Sequence, residues 1–496
     1  MRLKVGDWGR LPEDRLARVF MAGVDELPYG GRAFRSGDQL IVERRESDSA
    51  CVWAPWPVGP TPGGEPRGEW LLGTATLMER DEPYLMEVEL ARGTVYRVRN
   101  QLANWKLLGL ESSEPLEEQV AEATRLFCRC ATRHDEPEQA TEHAAAALAV
   151  AADASLALTK LYANQAMEAR LAAVDKLPTL MGAHLGSGAP GEAEEQLANG
   201  LSLIGMPCSW AEIEASEGRR RWRESDTQAQ WAQRNGLRIC AGPLLEFADR
   251  SIPDWAYLFE GDFEALSGLM VGHVEATVKR YRGYVQLWNV AGRVNRAKAL
   301  GLGDEQRLQL VARAVRAARE ADPKSPVIVS LDQPWGEYLT GEPSELSPID
   351  FADALERAEL GIAGFGLELN LGYWPDGTTL RNPLDFSRLL DQWSLRLELP
   401  VMLQVTLPST ASPESLPGAK ARVVAAGGGD DADFQSRWIE RCLPMLLAKN
   451  CVQVVLWNAP RDTPHALYPN GGLLDESGAA KPALAALREL RDKYLA

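Results

Sequence analysis

From Leu177 to the C-terminus the chain repeats one unit eight times: a short apolar run, then a longer stretch with helical patterning. The runs are TLMGAHLG, GLSLIGMPCSW, LRICAGPLLEF, YVQLWNVAG, PVIVSLDQP, GFGLELNLG, PVMLQVTLPS and CVQVVLWNAP. They are short for helices, and several are too continuously apolar for strands with one wet face, so they read as strands covered on both sides. Eight strand–helix units in about 320 residues leave few topologies. Right-handed crossovers make successive strands parallel, and eight of them close into an α/β structure, the (β/α)8 TIM barrel. Such a barrel presents its ligand-binding side chains at the C-terminal ends of its strands.

Two other units precede the barrel. Residues 1–110 hold the runs LKVGDW, QLIVERR, ACVWAPW, GEWLLGTATLM, YLMEVEL and GTVYRVRN between Gly- and Pro-rich turns, the pattern of an all-β sandwich or jelly-roll-like module. Its Trp53, Trp56 and Trp70 have two readings, stacking on sugar rings or packing a core. Residues 111–176 change to Ala, Glu and Leu and predict a helical hairpin over Glu114–Thr132 and Glu136–Val174. The Ala-rich face of the second helix suits close packing, either on the barrel or as the seam of a homodimer. The barrel then occupies residues 177–496.

The net charge of −17 argues against nucleic-acid and anionic-membrane partners. Residues 1–110 carry 15 Lys+Arg against 16 Asp+Glu, so nearly all of the excess acidity lies beyond them. No run of about 18 apolar residues occurs, so no membrane span is expected. The opening MRLKVGDWGR lacks the apolar core of a secretory leader, and the seven cysteines follow no disulfide framework; both point to a cytoplasmic protein with free thiols. No phosphate loop or nucleotide fingerprint occurs, so no cofactor is expected. The five histidines form no metal-binding spacing, and the weak alternative is a cation held by His184 and His465 with Asp332 or Glu368.

Polar residues cluster at the predicted strand ends. Glu246 ends the third run; Asp332, with Gln333 and Trp335, ends the fifth; Glu368 and Asn370 end the sixth, with Tyr373 and Trp374 just beyond. Trp457, Asn458 and Asp462 follow the eighth. Carboxylates interleaved with indoles suit a sugar: acids bond hydroxyls or transfer protons, and rings cover the apolar sugar faces. Neighbouring buried carboxyls also push each other's pKa apart, as an acid/base pair requires. The competing reading is that they pair with Arg293 or with backbone amides and only fill the top of the barrel. The long segment Ser409–Asp433 has the length of a lid over that face.

Several pieces of the barrel resemble glycoside hydrolase family 10, the xylanase-type barrels. Tyr284–Asn295 (YVQLWNVAGRVN) resembles the strand that carries W-D-V-V-N-E, with Trp288 and Val290 matching. Trp210 with EIEASEG is similar to W-x-x-I-E-P-x-x-G. Asp226 with WAQRNGLRI, the step Ile252-Pro253-Asp254-Trp255, His273 with VKRYRG, Trp457, and the close from Gly472 to Asp475 and Lys481-Pro482-Ala483 follow in the family's order.

The resemblance implies a fold and withdraws the usual chemistry. The family's acid/base Glu falls on Arg293, its Asp on Asn289, and its nucleophile on Gln404. An Arg stays charged at neutral pH and cannot act as general acid, and a Gln cannot form the glycosyl ester. Two functions follow as expectations. One is a carbohydrate-active barrel hydrolysing a poly- or oligosaccharide with relocated carboxylates, Glu368 plus Glu246 or Asp332. The other is a non-catalytic glycan-binding or scaffold protein. In either, Trp457, Trp335, Trp374, Asn370, Gln404, Arg293 and Asn289 are the expected sugar contacts.

Overall fold

The computed structural model describes residues 1–44, 49–60, 63–64, 67–133, 136–248, 251–296, 300–342, 344, 346–410, 421–424, 434–464 and 466–496. Most of the expected lid, 411–420 and 425–433, and His465 lie outside the described residues.

Each of the eight apolar runs forms a strand. They are β1 (Leu180–His184), β2 (Leu203–Met206), β3 (Arg238–Ala241), β4 (Leu287–Gly292), β5 (Val327–Asp332), β6 (Gly364–Asn370), β7 (Val401–Thr406) and β8 (Val452–Trp457). All pair in parallel in sequence order. The ring closes where β8 meets β1, and β3 meets β4 through Cys240↔Leu287 and Ala241↔Trp288. A two-residue extension, Leu245–Glu246, continues the pairing with β4 and carries Glu246 to the C-terminal face. The barrel is covered on both sides, which is why its strands read as unbroken apolar runs.

The N-terminal region forms two small sheets. One orders Gly31–Ser36, Gln39–Arg44, Arg2–Lys4 and Tyr84–Leu85; the other orders Phe20–Ala22, Cys51–Pro57 and Glu69–Gly73. Trp53, Trp56 and Trp70 are buried in this part, so packing is their use. The expectation of strands at YLMEVEL and GTVYRVRN is corrected: Met86–Leu107 is one helix, α1. The alternation that suggested a strand comes from two buried glutamates. Glu87 accepts hydrogen bonds from the backbone N–H of Gly6 (2.9 Å) and Asp7 (3.3 Å), which allows its burial among Met86, Val88 and Leu90.

The hairpin helices follow, α2 (Glu114–Ala131) and α3 (Pro137–Leu171), and all three helices pack together. Among the described residues α3 is the one helix long and apolar enough to cross a membrane, and half of its apolar window is buried inside the molecule. Ala140, Ala144, Ala147, Ala151 and Ala154 let it approach α1, α2 and the barrel helices Pro383–Leu397 and Phe434–Leu447 closely. Its alanine face is therefore occupied within the chain.

Candidate functional site

The C-terminal face of the barrel is organised by two arginines just past β4. Arg293, the first residue after the strand, takes a left-handed backbone (φ 56°), and Gln333, the first after β5, does the same (φ 48°). Non-glycine residues pay about 1–3 kcal/mol for such a conformation, and it concentrates at functional sites. The turn directs the Arg293 guanidinium across the barrel mouth. Its Nε donates to Glu368 Oε2 (2.9 Å) and Oε1 (3.2 Å), and Nη2 donates to Oε1 as well. Glu246 Oε1 stands 3.8 Å from the same Nε, and Tyr468 Oη accepts from Nη2 at 3.4 Å.

Arg296, three residues on in the turn, makes a second hub. Nη1 donates to Asp332 Oδ2 (3.0 Å), Nε to Glu342 Oε1 (3.0 Å) and Nη2 to Asp376 Oδ1 (3.0 Å). Three carboxylates from β5 and the loops after β5 and β6 thus share one guanidinium. Asn295 exchanges two hydrogen bonds with the backbone of Asp332 (2.9 and 3.0 Å), and the Gln333 N–H donates to Asp332 Oδ1 (2.9 Å).

Strand register explains why these residues meet. Asp332, Glu368 and Gln404 are direct neighbours across β5, β6 and β7, so their side chains stand in one row. Asn370 Nδ2 donates to Glu368 Oε1 (3.0 Å). The His184 ring at the end of β1 lies over Gly205, where an added Cβ would fall 2.3 Å from Nδ1.

Burial and charge then separate the titrations. Burial and the charge of Glu368 push the Asp332 carboxyl up to about 6, against the pull of Arg296 and Arg293. Burial also acts to raise Glu368, but the charge and hydrogen bonds of Arg293 outweigh it and hold Glu368 below the usual carboxylate range. Burial lowers the His184 imidazole to about 4, although Glu368 pulls the other way.

The remaining expected contacts differ in access. Trp457 is buried with its indole N–H on the Gly471 carbonyl (2.8 Å). Trp335 is buried edge-on to Phe386, with the Arg381 guanidinium 4.5 Å from its ring. Neither presents an open face to a sugar. Trp374 is half-buried and has Arg422 5.2 Å from its ring. The Asn289 carboxamide and Gln404 Oε1 are buried and make no hydrogen bond to the described residues. Asp462 accepts from the Gly472 N–H (2.7 Å) and pairs with Lys481, a structural tie of the C-terminal segment. Among the described residues no group of three His, Cys, Asp or Glu is placed to hold a metal.

Sequence reasoning passed over Arg296, Glu342, Asp376 and Tyr468. Only Arg296 carried a signal: it follows Arg293 by three residues beyond a barrel strand. The motif residues Trp210, Glu214, Trp255 and His273 form a knit away from the central row. Trp210 Nε1 and Arg220 Nε both donate to Glu214 Oε2 (3.2 Å each), Trp255 Nε1 donates to the Glu214 carbonyl (2.8 Å), and His273 packs on Trp210.

A closed ring of eight parallel strands, with carboxylates, amides and arginines at their C-terminal ends, defines a (β/α)8 barrel with a charged face. Residues 206–330 match the family model described as Glycosyl hydrolase family 10. The chain is 28% identical over 125 residues to endo-1,4-beta-xylanase 3 of Hypocrea jecorina, covering 24% of this chain and 35% of that protein. It is 27% identical over 194 residues to endo-1,4-beta-xylanase C of Paenibacillus barcinonensis, covering 34% of this chain and 17% of that protein. The match thus spans about a third or less of the length of these curated relatives. The crystal structure of xylanase 10B from Thermotoga maritima aligns with 64% of this chain and 96% of its own, at 17% identity and a TM-score of 0.49. The family likeness thus runs from the end of β2 to β5, and the chain is similar to glycosyl hydrolase family 10 over that part.

Proposed function

We propose that the barrel binds a glycan without hydrolysing it. The observation that carries this reading is the Arg293–Glu368 pair. The residue at the position resembling the acid/base is a permanent cation, and it holds the nearest buried carboxylate in a bidentate clamp. A glycosidase needs one carboxyl to give a proton and another to attack or activate water. Glu368 is engaged by Arg293, Asp332 is fully buried against Arg296, and Glu246 faces Arg293 and accepts from Ser251 Oγ (3.0 Å). The relatives' names make a β-1,4-linked xylan-type chain the first ligand to test.

One observation favours the alternative of hydrolysis with relocated carboxylates. Asp332 and Glu368 are register neighbours whose titrations are driven apart, the raised one suited to a proton donor and the lowered one to a nucleophile or base. Against it, Asp332 has no solvent-exposed surface with which to reach a substrate.

The deciding experiment measures reducing-sugar release from xylan and a polysaccharide panel, alongside retention of the protein on the same insoluble glycans. Retention without release is the expected result. Release that Glu368→Gln abolishes would overturn the binding reading and establish the relocated pair.

A further inference from the structure

The two sides of the barrel mouth are built differently. On the β5–β6 side the N-terminal region is fastened to the rim. The Leu71 N–H donates to the Leu380 carbonyl (2.7 Å), which ties the strand Glu69–Gly73 to the loop after β6. Arg388 Nη2 donates to Glu26 (2.6 Å), and Ser155 Oγ donates to Asn382 Oδ1 (2.6 Å). The Arg381 guanidinium lies 5.1 Å from the Trp53 ring of the N-terminal region and 4.5 Å from Trp335 of the barrel, and bonds Glu337 (2.9 Å).

The loops over this side are also tied to one another. Arg296 joins the loops after β5 and β6 through Glu342 and Asp376. Tyr468, in the segment after β8, donates to the Asp376 carbonyl (2.8 Å), and Tyr373 donates to the Pro469 carbonyl (2.8 Å). Backbone and side chains therefore cross the mouth above β6, β7 and β8.

Among the described residues the opposite side carries no such ties to the N-terminal region. A cavity of about 440 Å³ lies beyond the ends of β1 and β2, lined by Ser187, Ser209, Glu212, Arg221 and Gln228 among others. That is within the roughly 300–1,000 Å³ of small-molecule sites. The Gln228 amide nitrogen donates to the carbonyls of Gly186 (2.9 Å) and Gly188 (2.8 Å). This fixes the carboxamide, and its oxygen, buried at the cavity wall, makes no hydrogen bond to the described residues. Access at the central row follows the same polarity: the Glu246 side chain, next to β3, is 31% exposed, whereas Glu368 is 9% and Asp332 1% exposed.

We infer that the site is one-ended: it takes the terminus of a neutral oligosaccharide, entering over β1–β3, and does not admit the interior of a polymer. A chain lying across the mouth would have to leave over β5–β6, where the N-terminal region and the tied loops stand. This rests on the glycan-binding reading and adds to it the length and end-selectivity of the ligand.

The test titrates the full chain with xylo-oligosaccharides of increasing length and with soluble xylan of known chain-end content, reading affinity and the number of protein copies per glycan chain. Affinity that levels off within a few sugars, one copy per xylan chain, and a loss of at least about tenfold in Ser187→Trp, which plugs the cavity from an exposed position, are the expected results. Many copies per xylan chain, or unchanged affinity in Ser187→Trp, would overturn the inference while leaving glycan binding intact. No binding to any glycan would overturn the glycan reading and this inference with it.

Discussion

Arg293, the first residue past β4, and Glu368, on β6, meet as a guanidinium and a carboxylate joined by parallel hydrogen bonds, with only 12% and 9% of their side chains exposed. A pair this buried is costly to break from one side, because the surviving charge is left without a partner. Arg293→Met is expected to lower unfolding free energy by about 3–5 kcal/mol in urea titrations, and Glu368→Leu by a similar amount. The double variant is expected to lose much less than the sum, since no orphan charge remains. Additive losses would show that the pair is not coupled.

Arg296 acts on loops more than on the core. Its three carboxylate partners come from β5 and from the loops after β5 and β6, and only a planar fork with several N–H groups serves them together. Arg296→Lys keeps the charge and loses the fork. Amide exchange in 336–342 and 371–378 is expected to speed up by about tenfold, equivalent to about 1.4 kcal/mol of local opening, with little change in exchange from the barrel strands.

The barrel was legible in the sequence because a strand covered on both faces leaves a run of apolar residues that chance rarely repeats eight times. The helix Met86–Leu107 was misread for a local reason. Its first turns are buried all round, so Glu87 and Glu89 between Met86, Val88 and Leu90 imitate a strand's alternation. The helical signal lay further on, in the buried Val95, Val98, Leu102 and Trp105 at spacings of three and four. At the site, sequence placed Glu368, Glu246, Asp332 and Arg293 on one face, because strand ends converge by topology. It did not reveal which acid pairs with which arginine. Asp376, Glu342 and Tyr468 come from loops, whose paths no periodicity encodes.

Two histidines, His273 buried and His184 half-buried, set the direction of the acid response. Burial lowers His273, whose Nε2 lies 3.2 Å from the Cys208 carbonyl, to about 4, and His184 to about 4. In the unfolded chain an imidazole binds a proton near 6.5. Between the two values the unfolded state holds more protons, so stability is full above about pH 6.5 and falls as pH drops toward 4, by at most about 3 kcal/mol per histidine. Asp332 has the opposite sign: its folded value near 6 exceeds its ordinary 3.8, so it costs stability as pH rises through that window. His273→Gln is expected to show a smaller fall in Tm than the parent between pH 7 and pH 4.5, and Asp332→Asn a larger one. An unchanged slope in His273→Gln would show that this histidine is not the group responsible.

Two helical glycines give alanine substitutions of opposite sign. Replacing a glycine inside a helix by alanine favours the helix by about 1 kcal/mol when nothing obstructs the new methyl. Gly268, exposed on the helix Phe263–Tyr281, has nothing within 4 Å of where its Cβ would stand, so Gly268→Ala is expected to raise stability by up to that amount. Gly93, on α1, is where the helix presses against the end of the strand Glu69–Gly73. An added Cβ there would fall 2.1 Å from the Gly73 carbonyl oxygen and 2.6 Å from the Thr74 carbonyl carbon. These are backbone atoms and cannot rotate aside, so helix and strand must separate. That is the overpacking case, which costs about 1–3 kcal/mol and exceeds the helical gain. Thermal unfolding of the two variants beside the parent should therefore move Tm up for Gly268→Ala and down for Gly93→Ala. A stabilised Gly93→Ala would mean that α1 is not held in contact with the strand at Gly73.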